Sequence, residues 1–168
     1  MPRNPKRKTY SPNASPIAQK KQKVKSPTTN SATDKSIKPK DPNLHLIKIE
    51  SFKTFREQFD NLQHIIETQP FMYVVYAEWC PHCHILHDTL INDIRLKGKK
   101  AYVITIENDI HQHLQKNHND YILSKLSGDI TGFPHVVSVK DAKKGRVQPY
   151  VGSRSKHELE AELTNLHI

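Results

Sequence analysis

The chain has 168 residues, enough for one domain with an appendage, and its formal charge of +9 is unevenly spread. Residues 1–42 hold 11 of the 26 Lys and Arg but only Asp34 and Asp41 among the acids, so residues 43–168 are electrically neutral. There is no run of 18 apolar residues to cross a membrane, and the basic start MPRNPKRK leads into no hydrophobic segment of the secretory kind. The segment 1–42 also carries 7 of the 11 prolines, with Ile17, Val24 and Ile37 its only branched aliphatics. It cannot bury enough apolar surface to offset the entropy of ordering it, and is expected to be a disordered basic tail. Residues 43–168 are expected to form one α/β domain.

Leu44 to Ile49 alternate as a short strand. A helix follows, with Ser51 as its cap and Phe52, Phe55 and Phe59 on one face as core residues. Pro70 to Ala77 (PFMYVVYA) is an unbroken apolar run, expected to be a central strand buried on both faces. Pro81 suits the first turn of the next helix, for which Ile85, Leu86, Leu90 and Ile94 supply the stripe and Gly98 the stop. KAYVITI reads as a strand, residues 109–127 as a helix with an Asn-rich middle, and GFPHVVSVK as a strand opened by proline. DAKKGR is a turn and VQPYVG a short edge strand, so the last two strands should form an antiparallel hairpin. The closing helix has Ser155 as cap and Glu158 three residues on, the pattern of a reciprocal capping box.

The order β-α-β-α-β-α-β-β-α predicts a mixed sheet flanked by helices. Both cysteines, Cys80 and Cys83, fall where the buried strand gives way to a helix, the end of an open α/β sheet at which reactive groups collect. Unpaired N–H groups and the helix dipole favour a thiolate at Cys80. Cys83, one turn deeper, is placed to close a disulfide with it. His82 stands between them and is expected to stabilise the thiolate, making the pair more oxidising than one separated by neutral residues. A zinc site drawing on Cys83 and His87 is the alternative, but no second cysteine pair completes it, and no metal or cofactor is assigned. Most of the 11 histidines are expected to face solvent.

AEWCPHC, the later GFP, and the Gly152-Ser-Arg that precedes the last helix together resemble the thioredoxin superfamily. The resemblance implies a thioredoxin fold with a mixed sheet of four to five strands, Cys80 as the attacking and Cys83 as the resolving cysteine. It also implies that Trp79, Phe133 and a cis Pro134 meet the substrate. His135 takes the place of the threonine usual after that proline and is a candidate, with His82, for tuning the cysteines. Two departures matter. Pro-His between the cysteines resembles strongly oxidising relatives, and Val74 stands where the family places a buried aspartate that moves protons for the resolving cysteine. Water, His82 or Glu78 are left as substitutes.

The expected function is thiol–disulfide exchange on protein substrates, with a protein reductase or glutathione as the electron partner. The competing function is a non-catalytic thioredoxin-fold adaptor whose tail, through PRNPKRK and QKKQKVK, binds nucleic acid or another anionic partner. A cytoplasmic location is expected, with nuclear or virion-associated alternatives.

Overall fold

The computed structural model describes residues 37–168, so most of the basic tail lies outside the described residues. Five strands, β1 (Leu44–Ile49), β2 (Phe71–Tyr76), β3 (Ala101–Glu107), β4 (His135–Asp141) and β5 (Arg146–Pro149), form one sheet in the order β1-β3-β2-β4-β5. β1, β3 and β2 run parallel, and β4 and β5 are antiparallel to their neighbours. This is the expected mixed sheet, at five strands.

β2 lies at its centre, and all six of its residues are buried. Phe71, Tyr73 and Val75 face a core shared with α2 (Phe59–Thr68), α4 (Asn108–Asn117) and α5 (Leu123–Leu126). Met72 and Val74 face the other core, closed by Leu86 and Leu90 of α3 (Pro81–Asn92) and Leu159 and Leu163 of α6 (Lys156–Asn165). A strand covered by helices on both faces needs apolar side chains at every position, which is why PFMYVVYA does not alternate.

Several expectations are corrected. The phenylalanine stripe is not core: Phe52 and Phe59 are 41% and 40% exposed, and only Phe55 packs partly against the buried cluster. The helix breaks at Gln58 into α1 (Phe52–Glu57) and α2, and Phe55 and Phe59 meet each other and Tyr121 at the rim of the core rather than inside it. Ser51 does cap α1, in a reciprocal box with Thr54. Helix α3 ends at Asn92 rather than Gly98, and Ile85 lies on its exposed side. Gly98, with φ +84°, instead serves the turn into β3. The Asn-rich middle of 109–127 ends α4 at Asn117. At α6, Ser155 accepts from the Glu158 N–H, but the Glu158 carboxylate accepts from the Ser153 N–H, so the expected box is not reciprocal.

The ordered fold also begins earlier than residue 43. The Lys40 N–H donates to the Ile91 carbonyl at 2.7 Å, and the buried Asp41 carboxylate accepts from the N–H groups of Leu96 (2.6 Å) and Asn43 (2.8 Å). Burial alone would raise the Asp41 pKa, but these donors outweigh it and hold the carboxyl below its ordinary value. Asp41→Ala strands the buried Leu96 N–H and is expected to cost about 1–3 kcal/mol in urea unfolding; an unchanged midpoint would show that the clasp contributes nothing.

Candidate active site

The β2 strand delivers the chain to the site. After Tyr76 the backbone turns, with the Cys80 N–H bonded to the Ala77 carbonyl at 3.1 Å, and α3 starts with Cys80 as its N-cap and Pro81 in its first turn. The Cys80 carbonyl accepts from the N–H groups of Cys83 (3.1 Å) and His84 (3.3 Å), so the two cysteines stand one turn apart. Both are free thiols. The Phe133–Pro134 peptide is cis, as the resemblance implied, and the Cys80 thiol donates to the Phe133 carbonyl at 3.5 Å. Trp79 is 76% exposed and meets the Phe133 ring edge-on at 5.9 Å.

Cys80 is less open than its expected role suggests, at 3% exposure. It lies in a small cluster with Tyr76, Ala77 and Cys83, against which Phe133 packs. Its side chain takes no hydrogen bond from the helix N-terminus, so the helix acts on it through its dipole alone. Cys83 is deeper, at 1%. Burial first, then its hydrogen bond with Cys80, pushes the Cys83 thiol up to about 12. The asymmetry places the proton problem of the pair on Cys83.

Of the two candidate tuning histidines, neither is bonded to a sulfur among the described residues. His82 is exposed. His135 opens β4 opposite Val75, on the face of the sheet away from α3, and its Nε2 is 2.6 Å from the Ser127 carbonyl. It therefore belongs to a buried polar group on that face rather than to the cysteines. There Tyr73 Oη and Nδ1 of the fully buried His111 lie 2.8 Å apart, and His111 Nε2 is 3.0 Å from Ser127 Oγ. His87 is buried as well. Burial first, and then nearby basic groups (Lys48 and His84 for His87, His135 for His111), lowers both rings to about 4.

Gly152 has a steric reason to be glycine, since a Cβ there would lie 2.5 Å from the Tyr150 hydroxyl oxygen. Val74, at the place of the missing aspartate, is fully buried in hydrocarbon. Among the described residues no three His, Cys, Asp or Glu come together to hold a metal ion, and no helix is long and apolar enough to cross a membrane.

The thioredoxin family model matches residues 49–165, a span that includes the cysteine helix, the cis-proline strand and the closing helix. The chain belongs to the thioredoxin family. No match to a curated protein sequence is found. Among solved structures, the J-Trx1 fragment of ERdj5 is similar at 17% identity with a TM-score of 0.40. That match covers 72% of this chain and 48% of the fragment, so the thioredoxin-family chain spans about half the length of the structure it resembles. Sequence reasoning missed the buried His87 and His111. It also missed a groove of about 690 Å³ beside Trp79 and Phe133, lined by Asn108 and Gln112 of α4 and by Asp129. Histidines in polar-looking helices carry no sequence signal of burial, and the groove joins segments some fifty residues apart.

Proposed function

We propose that this protein catalyses thiol–disulfide exchange on protein substrates through Cys80 and Cys83. The observation that carries the reading is the Cys80 thiol at a helix start, 3.5 Å from the Phe133 carbonyl and beside the cis peptide to Pro134. A thiolate at Cys80 attacks one sulfur of a substrate disulfide, forming a mixed disulfide and releasing the other substrate sulfur as a thiolate that takes up a proton. Cys83, as thiolate, then attacks the Cys80 sulfur. The intramolecular disulfide closes, the second substrate thiol leaves, and the pair has taken one disulfide's worth of oxidation from the substrate. The reverse sequence donates a disulfide. An extended substrate backbone can pair along residues 131–133 while its side chains meet Trp79, Phe133 and the groove.

Pro-His between the cysteines supports a pair more oxidising than that of ordinary thioredoxin, with the exposed His82 influencing the sulfurs across solvent rather than by a hydrogen bond. Glutathione or a protein reductase closes the cycle. Reduction of insulin with dithiothreitol, and oxidation of a reduced peptide by the disulfide form, test the reading. Rates no greater than those of free dithiothreitol in both assays would overturn it in favour of an adaptor. The reduction potential of the Cys80–Cys83 couple decides the direction, and a value at or below about −270 mV would remove the oxidising preference.

A further inference from the structure

The groove beside Trp79 and Phe133 has two walls of different origin. One is the face of α4 that carries Asn108 and Gln112, a helical turn apart. The other is residues 128–133, which belong to no helix or strand. Among the described residues, no turn or loop bond between backbone groups holds residues 128–134. Ile130 and Phe133 rest partly on the core, but apolar contact has no direction and does not set where a backbone runs. The position of this wall must come from the side chains that bond to it. At its far end the Cys80 thiol donates to the Phe133 carbonyl. At its near end the bonds trace back to two histidines.

His135 Nε2 lies 2.6 Å from the Ser127 carbonyl, which can only accept, so the ring donates there. Ser127 Oγ donates to the Gly128 carbonyl at 3.1 Å. With its one proton so used, that hydroxyl accepts from His111 Nε2 at 3.0 Å. The other nitrogen, Nδ1, is then the acceptor for the Tyr73 hydroxyl at 2.8 Å. Burial keeps the His111 ring neutral, as an acceptor at Nδ1 requires. Each donor in the chain from Tyr73 through His111 to Ser127 has its own acceptor, and the chain ends on the loop. His111 is wholly buried and sits on α4 between Asn108 and Gln112, the residues of the facing wall. It therefore ties one wall to the start of the other. We propose that His111 and His135 are positioning residues that set the spacing of the groove walls, and with it the grip on a polypeptide substrate.

The inference rests on the disulfide-exchange reading above and deepens it. Neither ring is bonded to a sulfur among the described residues, so their effect falls on binding rather than on the exchange step. A small disulfide reaches Cys80 without filling the groove, whereas an extended polypeptide lies between both walls. Loosening the loop should therefore weaken the hold on a polypeptide and leave a small disulfide unaffected. The Gln115 side chain also crosses from α4, donating to the Ser124 carbonyl at 3.3 Å, but that bond reaches only α5, short of the loop.

The test follows oxidation of the reduced full-length protein by insulin and by hydroxyethyl disulfide, each across a range of concentrations. In His135→Leu and Ser127→Ala the half-saturating insulin concentration should rise about tenfold, the scale of one lost buried hydrogen bond, with the limiting rate kept. The rate with hydroxyethyl disulfide should stay within about twofold of wild type. His135→Gln, whose amide nitrogen stands as many bonds from the backbone as Nε2, should restore the hold on insulin. Equal losses on both disulfides would mean a role in stability alone and overturn the proposal. So would an unchanged insulin dependence in either folded variant, or His135→Gln behaving as His135→Leu. A readout independent of turnover comes from Trp79, the single tryptophan of the chain, whose ring meets Phe133 at the end of the loop. Its indole N–H resonance should move in Ser127→Ala, and an unmoved resonance overturns the proposal. Inactivity of wild type on both disulfides would instead fail the exchange reading, with the indole resonance still deciding the wall.

Discussion

On the proposed disulfide-exchange function, Cys80→Ser should abolish turnover, and Cys83→Ser should convert the protein into a trap. With insulin and dithiothreitol, the first variant is expected to lose at least about 10³-fold, the scale on which a covalent nucleophile is missed. It should form no adduct with substrates, because Cys83 is too deep and its thiol too weakly acidic to take over the attack. Cys83→Ser still attacks but cannot close the ring, so disulfide-linked partners should accumulate and disappear on reduction. Adducts in both variants, or in Cys80→Ser alone, would reverse the assignment of the two sulfurs. Exposure alone would not have settled that assignment, since both are buried. What separates them is that Cys80 faces the Phe133 carbonyl, where a substrate strand can run, while Cys83 faces a cavity behind.

A second large effect should appear on acidification. His87 and His111 are held neutral in the folded protein, each with its value lowered from the ordinary 6.5 to about 4. The unfolded chain binds protons at these rings below about pH 6.5, and the folded one does not until about pH 4. Their contribution is therefore complete above pH 6.5 and lost as the pH falls towards 4, at about 2–3 kcal/mol for each ring by pH 4.5. Against a typical total of about 5–15 kcal/mol, that loss should bring unfolding within reach near pH 4.5. Asp41 acts lower on the scale, because its carboxyl is depressed and its contribution fails only below about pH 4. Urea unfolding at pH 7.5, 6 and 5 reads the effect. His111→Leu should start less stable, with Tyr73 and Ser127 stranded, yet lose about half as much on the way to pH 5. An equal slope for both proteins would mean that His111 is protonated in the fold.

The parts of the molecule that were legible in the sequence share a physical origin. PFMYVVYA could only be a strand covered on both faces, and β2 is one. The placing of Cys80 and Cys83 at a strand-to-helix turn was legible because that turn depends on local residue types, whereas the cis peptide before Pro134 and the place of Trp79 came from the family resemblance. The phenylalanine stripe misled because periodicity shows that residues share a face and not what that face meets; Phe52 and Phe59 meet the rim of the core and remain about 40% exposed. His135 misled because adjacency to Pro134 suggested nearness to sulfur, whereas the pleat of β4 sends its side chain to the opposite side of the sheet. His87 and His111 were invisible for the converse reason. Their burial is decided by partners from distant segments, such as the 38 residues separating Tyr73 from His111. Asp41 belongs with them, its carboxylate meeting an amide 55 residues away.

That carboxylate clasp also fixes where anything joined ahead of residue 37 is tethered. Asp41 precedes the first residue of β1, and β1, β3 and β2 point the same way, while Cys80 follows the far end of β2. The tether point and the sulfurs thus sit at opposite poles of the sheet, about 20 Å apart for a six-residue strand. A label fixed at Lys38 or Lys40, both exposed, would stand at the blunt pole and leave the neighbourhood of Cys80 unencumbered.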